Sequence, residues 1–337
     1  MSIISTKVIR THTSDPWLNL AVEEYLLNHV KEGECILYLW QNKNTVVIGR
    51  NQNAWKECRT ELLESEGGKL ARRLSGGGAV YHDLGNLNFT FLVRKEDYDL
   101  ERQLNVILTA VKSLGINAEI SGRNDIIADG RKFSGNAFYF GRTAAYHHGT
   151  ILVAADFEKM TKYLQVSRDK IRSKGVDSIR SRVVNLTELN PSVTVDMVAD
   201  SLIRAFAEIY CYGPVISDGS GDTDAKAVEK LYEKYASWEW RYGHTPKFDI
   251  TLETRFPWGG VEIGLTLENG RVVSSKVYSD AMDEAFIRTL ADVISGCPFS
   301  YHNLAGRIRS YFDGGNSKEP AEEIAAWLEA ISGVNST

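Results

Sequence analysis

Three consecutive glycines, Gly76, Gly77 and Gly78, stand between a pair of arginines and an apolar strand in RRLSGGGAVYHD at residues 72–83. A run of this kind gives up side chains for backbone access. Its N–H groups can approach a phosphate or a carboxylate closely, and Arg72 and Arg73 add planar donors suited to oxyanions. A flexible turn is the competing reading of the glycines taken alone. Neither GxxxxGK[ST] nor GxGxxG occurs in the segment, so a nucleotide bound here is held by something other than a Walker A loop or a Rossmann fingerprint.

Two further clusters share this chemistry. In GRNQN at 49–53, Gly49 and Arg50 end an apolar run and can project from its tip. In SGRNDIIADGRKFSGNAF at 121–138, Asp129-Gly130 is a strong two-residue hairpin signal. It sets Ile127 opposite Lys132, places Asp125 opposite positions near 134, and makes Asp125 and Lys132 near neighbours on one ribbon. Such a pair can divide Mg²⁺ and substrate oxygen between carboxylate and ammonium, or be an ordinary cross-strand ion pair. His147 and His148 are adjacent on a strand and so face opposite sides of a sheet, which leaves one for a cleft and one for structural hydrogen bonding.

The rest of the chain reads as mixed α and β. Ser14-Asp15-Pro16 opens a helix whose stripe is Leu18, Ala21, Val22 and Tyr25, with Glu23-Glu24 as a solvated face. CILYLW (35–40) and TVVIGR (45–50) read as a hairpin, NFTFLV (88–93) as a strand, and residues 102–115 as a helix. PVISDGSGDTD at 214–224 is the most linker-like stretch, followed by a helix at about 225–236. From about Pro246 a strand pair turned at Asn269-Gly270 precedes helices to the end.

At 337 residues and 43% hydrophobic content the chain can bury a large core. A net charge of −5 gives no general basic footprint for nucleic acid or an anionic membrane. The absence of a signal-like start and of any 18-residue apolar run makes a cytoplasmic protein the expectation. Cys35, Cys58, Cys211 and Cys297 are scattered, with no CxxC, and suit reduced thiols.

With these clusters in hand the chain resembles the bacterial lipoate–protein ligase A family of the biotin/lipoate ligase superfamily. The similarity runs nearly end to end. It includes GRNQN, RRLSGGGAVYHD, SGRND, KFSGNAF, DPWLNLAVEE (15–24), HHGTILV (147–153), SIRSRVVNLTEL (178–189) and SWEWRYG (237–243). The resemblance implies an α+β protein: a large mixed-sheet catalytic domain over 1–245 and a small α+β accessory domain over 246–337. It implies ATP-dependent activation of lipoate to lipoyl-AMP with Mg²⁺, then transfer to a lysine of lipoyl domains such as 2-oxoacid dehydrogenase E2 subunits and the glycine cleavage H protein. Octanoate is a second candidate acid.

The resemblance also implies that Lys132 contacts the lipoyl carboxylate and the α-phosphate, while Arg73, Gly78, Ala79, Val80 and Tyr81 hold ATP. Arg72, Ser75, Gly76, Gly77, His82, Asn124, Asp125, Gly135 and His148 would border the substrate, with Asp125 linked to the metal. The rivals are an ATP-independent octanoyl or lipoyl transferase, a biotin ligase and a lipoate-binding scaffold without activity. The first uses a cysteine, and none lies between Cys58 and Cys211.

Overall fold

The computed structural model describes residues 3–122, 125–165, 182–219, 221–242, 249–268 and 270–334. Asn124, Asn269 and residues 178–181 lie outside the described residues. The chain divides into two compact units, one of Met1–Ile48, Ala54–Leu74 and Ala79–Gly243, the other of Gly49–Asn53, Ser75–Gly78 and His244–Thr337.

The first unit carries strands β1 (Ser5–Arg10), β2 (Glu34–Trp40), β3 (Thr45–Ile48), β4 (Lys69–Arg72), β5 (Val80–His82), β6 (Asn86–Arg94), β7 (Glu119–Ser121), β8 (Asp125–Ala128), β9 (Arg131–Phe140), β10 (Ala144–Leu152) and β11 (Val215–Ser217). Eight of them form one sheet in the order β11-β1-β2-β6-β10-β9-β8-β7. It is mixed, since β1 runs parallel to β2 and β11 whereas β2–β6 and β6–β10 are antiparallel.

Alternation along β6 sorts the two faces of this sheet. Leu87, Phe89 and Phe91 pack under the helices Leu100–Ser113 and Val195–Tyr210 in one core. On the other face Tyr38, Trp40, Leu92 and Tyr146 pack with the helices Pro16–His29 and Ala225–Ala236. Asp15 caps the first of those helices by accepting from the N–H groups of Trp17 and Leu18, a contact worth about 1 kcal/mol.

CILYLW and TVVIGR do not pair with each other. β2 stays in the large sheet, and β3 becomes the middle strand of a separate three-stranded sheet in the order β4-β3-β5. Both runs are buried on both faces, so neither has an alternation that names its partner. The turn between them carries Asn44 at φ 45° and a buried Asn42 that bonds Asn19 and His82, which redirects the chain into the second layer. PVISDGSGDTD is likewise no simple linker: Val215–Ser217 adds β11 to the large sheet beside β1.

The second unit holds β12 (Ile250–Phe256), β13 (Gly259–Glu268) and β14 (Arg271–Ser279), an antiparallel meander, with the helices Glu284–Ile294, Tyr301–Phe312 and Lys318–Val334. Val261, Ile263, Leu265, Leu290, Leu304 and Ile324 form its core. Within this unit Ser279 N–H donates to the Asn51 carbonyl at 2.8 Å and Gly77 N–H to the Ala281 carbonyl at 3.0 Å. A Cβ on Gly76 would stand 2.5 Å from the Ala281 and Met282 carbonyls, so only glycine fits there. Among the described residues no helix is long and apolar enough to cross a membrane.

Candidate active site

The site grows from the β8–β9 hairpin. Asp129 and Gly130 both take positive φ, 49° and 72°, as a tight two-residue turn between right-twisted strands requires. Ile127 faces Lys132 as the spacing predicts. A bulge between Ile126 and Ile127 then shifts the register, so Asp125 faces Gly135. The Lys132 backbone is fixed on its other side too, its N–H donating to the Arg182 carbonyl at 2.7 Å and its carbonyl accepting from Val184 N–H at 2.9 Å.

The Lys132 side chain folds across Gly135 and brings Nζ to 2.6 Å from Asp125 Oδ1. Their alignment is that of an ion contact and not of a directed hydrogen bond, and both groups are about one-third exposed, at 35% and 37%. A Cβ at Gly135 would lie 2.8 Å from both Cε and Nζ of Lys132. Gly135 N–H donates to Thr150 Oγ1 at 3.4 Å. Gly149, next along β10, is equally confined: a Cβ there would meet Phe89 Cζ at 2.6 Å and the Gly135 carbonyl at 2.7 Å.

Thr150 shares its sheet face with His148, while His147 points to the other face, as two adjacent strand residues must. His147 is buried between Gln103 Oε1 at 3.2 Å and Asn136 Oδ1 at 2.8 Å, and burial holds its pKa down at about 3. His148 Nδ1 is 2.8 Å from Glu23 Oε1. Glu23 is therefore not on a solvated face: it is 1% exposed and also accepts from Thr90 Oγ1, which in turn accepts from Trp40 Nε1. Its neighbour Glu24 accepts from Lys234 and Tyr235. The Pro16–His29 helix is apolar on nearly every side, and a helix of that kind is enclosed together with its polar residues.

Arg73 is buried, with Nη1 donating to the Val47 carbonyl at 3.3 Å. Burial lowers its pKa to about 10, opposed by Tyr146 and Glu23. Arg72 donates to the Trp240 and Arg241 carbonyls at 2.9 and 2.8 Å and accepts from Trp240 Nε1, a clasp between β4 and the SWEWR turn. Val80, Tyr81 and His82 form β5, with Ala79 just ahead of it. His82 Nδ1 is 3.1 Å from the Asn42 amide nitrogen, and burial, with Arg73 and His148 nearby, lowers its pKa to about 3. The ring is neutral, and its buried Nε2 has no hydrogen-bond partner among the described residues.

Ser75, Gly76, Gly77 and Gly78 belong to the second unit, and Asn124 lies outside the described residues. Sequence reasoning missed Glu23, Asn86 and Asn88. Asn86, Asn88 and Thr90 alternate along one face of a strand whose every residue through Val93 is buried, and that alternation of polar residues was the available signal. Asn86 Nδ2 donates to Asn88 Oδ1 at 2.9 Å, and among the described residues Asn86 Oδ1 and Asn88 Nδ2 are buried without partners. Each such group costs about 1–3 kcal/mol in a folded protein. A cavity of about 520 Å³ lined by Ile3, Tyr98, Asp99, Arg102 and Tyr210 includes none of these residues.

The ammonium laid over Gly135, the buried Arg73 and the buried amides of Asn86 and Asn88 all lie in the first unit. Residues 15–207 match the lipoyl protein ligase A/B catalytic domain. The chain belongs to this family. Residues 245–328 match the bacterial lipoate protein ligase C-terminus. The chain is 38% identical over 333 residues to a lipoate-protein ligase A of Psychrobacter cryohalolentis, covering 97% of this chain and 96% of that one. It is similar to the crystal structure of P. falciparum LipL1 in complex with lipoate, at a TM-score of 0.84 and 29% identity over 96% of this chain and 99% of that one. A lipoate-protein ligase A bound with ATP superimposes with a TM-score of 0.60 and 28% identity over 72% of this chain and 99% of that one.

Proposed function

We propose that the protein is an ATP-dependent lipoate–protein ligase, in which residues 1–245 carry catalysis and 246–337 are accessory. Family membership supports the activity. The observation that carries the assignment of roles is the Lys132 ammonium folded over Gly135 on a sheet face with Thr150 and Asn88.

A carboxylate is a poor electrophile, so it is first converted to a mixed anhydride with AMP. One carboxylate oxygen bonds the α-phosphorus, and pyrophosphate leaves. Lys132 steadies the charge on the carboxylate and the α-phosphate, and Arg73 steadies phosphate charge. The Gly78, Ala79, Val80 and Tyr81 backbone holds the nucleotide, while Arg72, Ser75, Gly76, Gly77, His82, Asn124, Gly135 and His148 border the substrate. Asp125 is the residue that would hold Mg²⁺. Among the described residues no three His, Cys, Asp or Glu side chains converge into a metal cage. One or two carboxylates together with substrate phosphates are the usual way Mg²⁺ is held, and there it would neutralise phosphate charge.

In the second step a lysine amine attacks the acyl carbon, the carbon–oxygen bond to phosphate breaks, and AMP departs with that oxygen. The acceptor lysine, with an ordinary pKa of about 10.4, must lose a proton first. An apolar slot for the acid is worth about 0.8 kcal/mol per methylene and selects lipoate or octanoate over short acids. The acceptors proposed are lipoyl domains of E2 subunits and the H protein, in the cytoplasm.

The cysteine-dependent alternative finds little support. Cys35 and Cys58 are buried, and burial pushes each thiol up to about 12, far from a reactive thiolate. Lipoate-dependent exchange of pyrophosphate into ATP tests the assignment: exchange is expected with lipoate and absent without it, and no exchange in either case would reject it.

A further inference from the structure

We propose that Asn88 is a second donor to the carboxyl group of the acid, working beside Lys132. The inference rests on the reading that Lys132 receives that carboxylate.

Three adjacent strands set up the geometry. Asn88 on β6 lies directly opposite Thr150 on β10. Thr150 Oγ1 accepts from Gly135 N–H on β9, and the Lys132 ammonium lies where a Gly135 side chain would be. Face parity places all of them together. Thr90, two residues beyond Asn88, bonds Glu23, and His148, two residues before Thr150, bonds the same carboxylate. Leu87 and Phe89 go to the opposite core.

The Asn88 amide is also held in orientation. Its oxygen accepts from Asn86 Nδ2, which turns the NH₂ away from Asn86, and among the described residues that NH₂ is buried without a partner, in a residue 1% exposed. Trp40, opposite Asn88 on β2, cannot satisfy it, because indole N–H only donates and is already given to Thr90. A carboxylate over Thr150 would accept from Lys132 on one side and from Asn88 on the other. The same amide then remains on the acyl oxygen when the amine attacks and negative charge builds there. Asn86 is the positioning residue that aims it.

The test measures lipoate-dependent ATP–pyrophosphate exchange in Asn88→Ala and Asn88→Leu, the second restoring bulk without a donor, with folding checked by thermal melts. Asn88→Val, a residue suited to strands, replaces either one if it fails to fold. The expected result is a rise of at least about tenfold in the KM for lipoate with the KM for ATP little changed; tenfold corresponds to about 1.4 kcal/mol. Asn88→Asp, which offers only acceptors, should be at least as impaired. The alcohol analogue of the acid, lacking a carboxyl group, should bind wild type and variants equally in calorimetry.

An unchanged lipoate KM in the folded variants, a tolerated Asn88→Asp, or equal losses for the acid and its alcohol would each overturn the role of Asn88. Those results leave the ligase reading intact as long as wild type exchanges. Absence of exchange in wild type itself would remove that reading and this inference with it.

Discussion

Replacing Gly135 by Ala should separate activity from stability. The new methyl carbon would sit 2.8 Å from both Cε and Nζ of Lys132, whereas heavy atoms of this kind settle at about 3.5 Å or more. The ammonium must therefore retreat by about 0.7 Å or swing to another rotamer. A misplacement of roughly 1 Å in a positioned group costs on the order of 10²-fold in rate. The fold has little to lose. Gly135 is not among the residues with positive φ, so alanine fits its backbone and stiffens the unfolded chain, a gain of about 0.4–1 kcal/mol. The ion contact disturbed is one-third exposed and worth about 0–1 kcal/mol. Lipoate-dependent ATP–pyrophosphate exchange should fall roughly 100-fold while the urea midpoint moves by less than about 1 kcal/mol in stability. Wild-type exchange in a folded Gly135→Ala protein would show that the position of Lys132 over Gly135 is irrelevant to the reaction.

Lys132→Ala should lose about 10²–10³-fold or more in exchange, and Lys132→Arg should fail as well, because a guanidinium does not replace a compact ammonium. Arg73→Ala should raise the apparent KM for ATP; a change in the lipoate KM alone would mean that Arg73 serves the acid. Gly149→Ala should destabilise the first unit by about 1–3 kcal/mol through contacts with Phe89 and the Gly135 carbonyl, read from urea unfolding. His82 and His147 stand at about 3 in the fold against about 6.5 unfolded, so the stability from burying them neutral is complete above pH 6.5. It declines as pH falls from 6.5 towards 3, by about 1.4 kcal/mol per pH unit for each ring, and His147→Gln should flatten that slope. A folded variant lacking all four cysteines should retain ATP-dependent lipoylation; its loss, with a hydroxylamine-labile acyl group on wild type, would favour the transferase.

What the sequence made legible was local. The helix start at Ser14-Asp15-Pro16, the Asp129-Gly130 turn, the 225–236 helix and the opposed faces of His147 and His148 follow from residue chemistry within a few positions, and the structure shows each. What it hid depends on distant partners. β2 and β3 are buried on both sides, so nothing in either run tells which sheet takes it. Three residues were too few for β11 to stand out among Gly, Ser and Asp. Glu23 looked solvated beside Glu24, yet its carboxylate meets His148, 125 positions away. The bulge that moves Asp125 opposite Gly135 leaves no mark in the local sequence, because Phe133 and Ser134 suit a regular strand equally well.

The central claim is ATP-driven transfer of a lipoyl group to a protein lysine, and the mass of an acceptor tests it most directly. Purified protein is incubated with lipoate, ATP, Mg²⁺ and an unmodified lipoyl domain, and the domain is then weighed by mass spectrometry. One lipoyl group should appear on the domain's lysine, and omission of ATP should abolish it. An unmodified domain in the complete reaction, or equal modification without ATP, would contradict the ligase assignment.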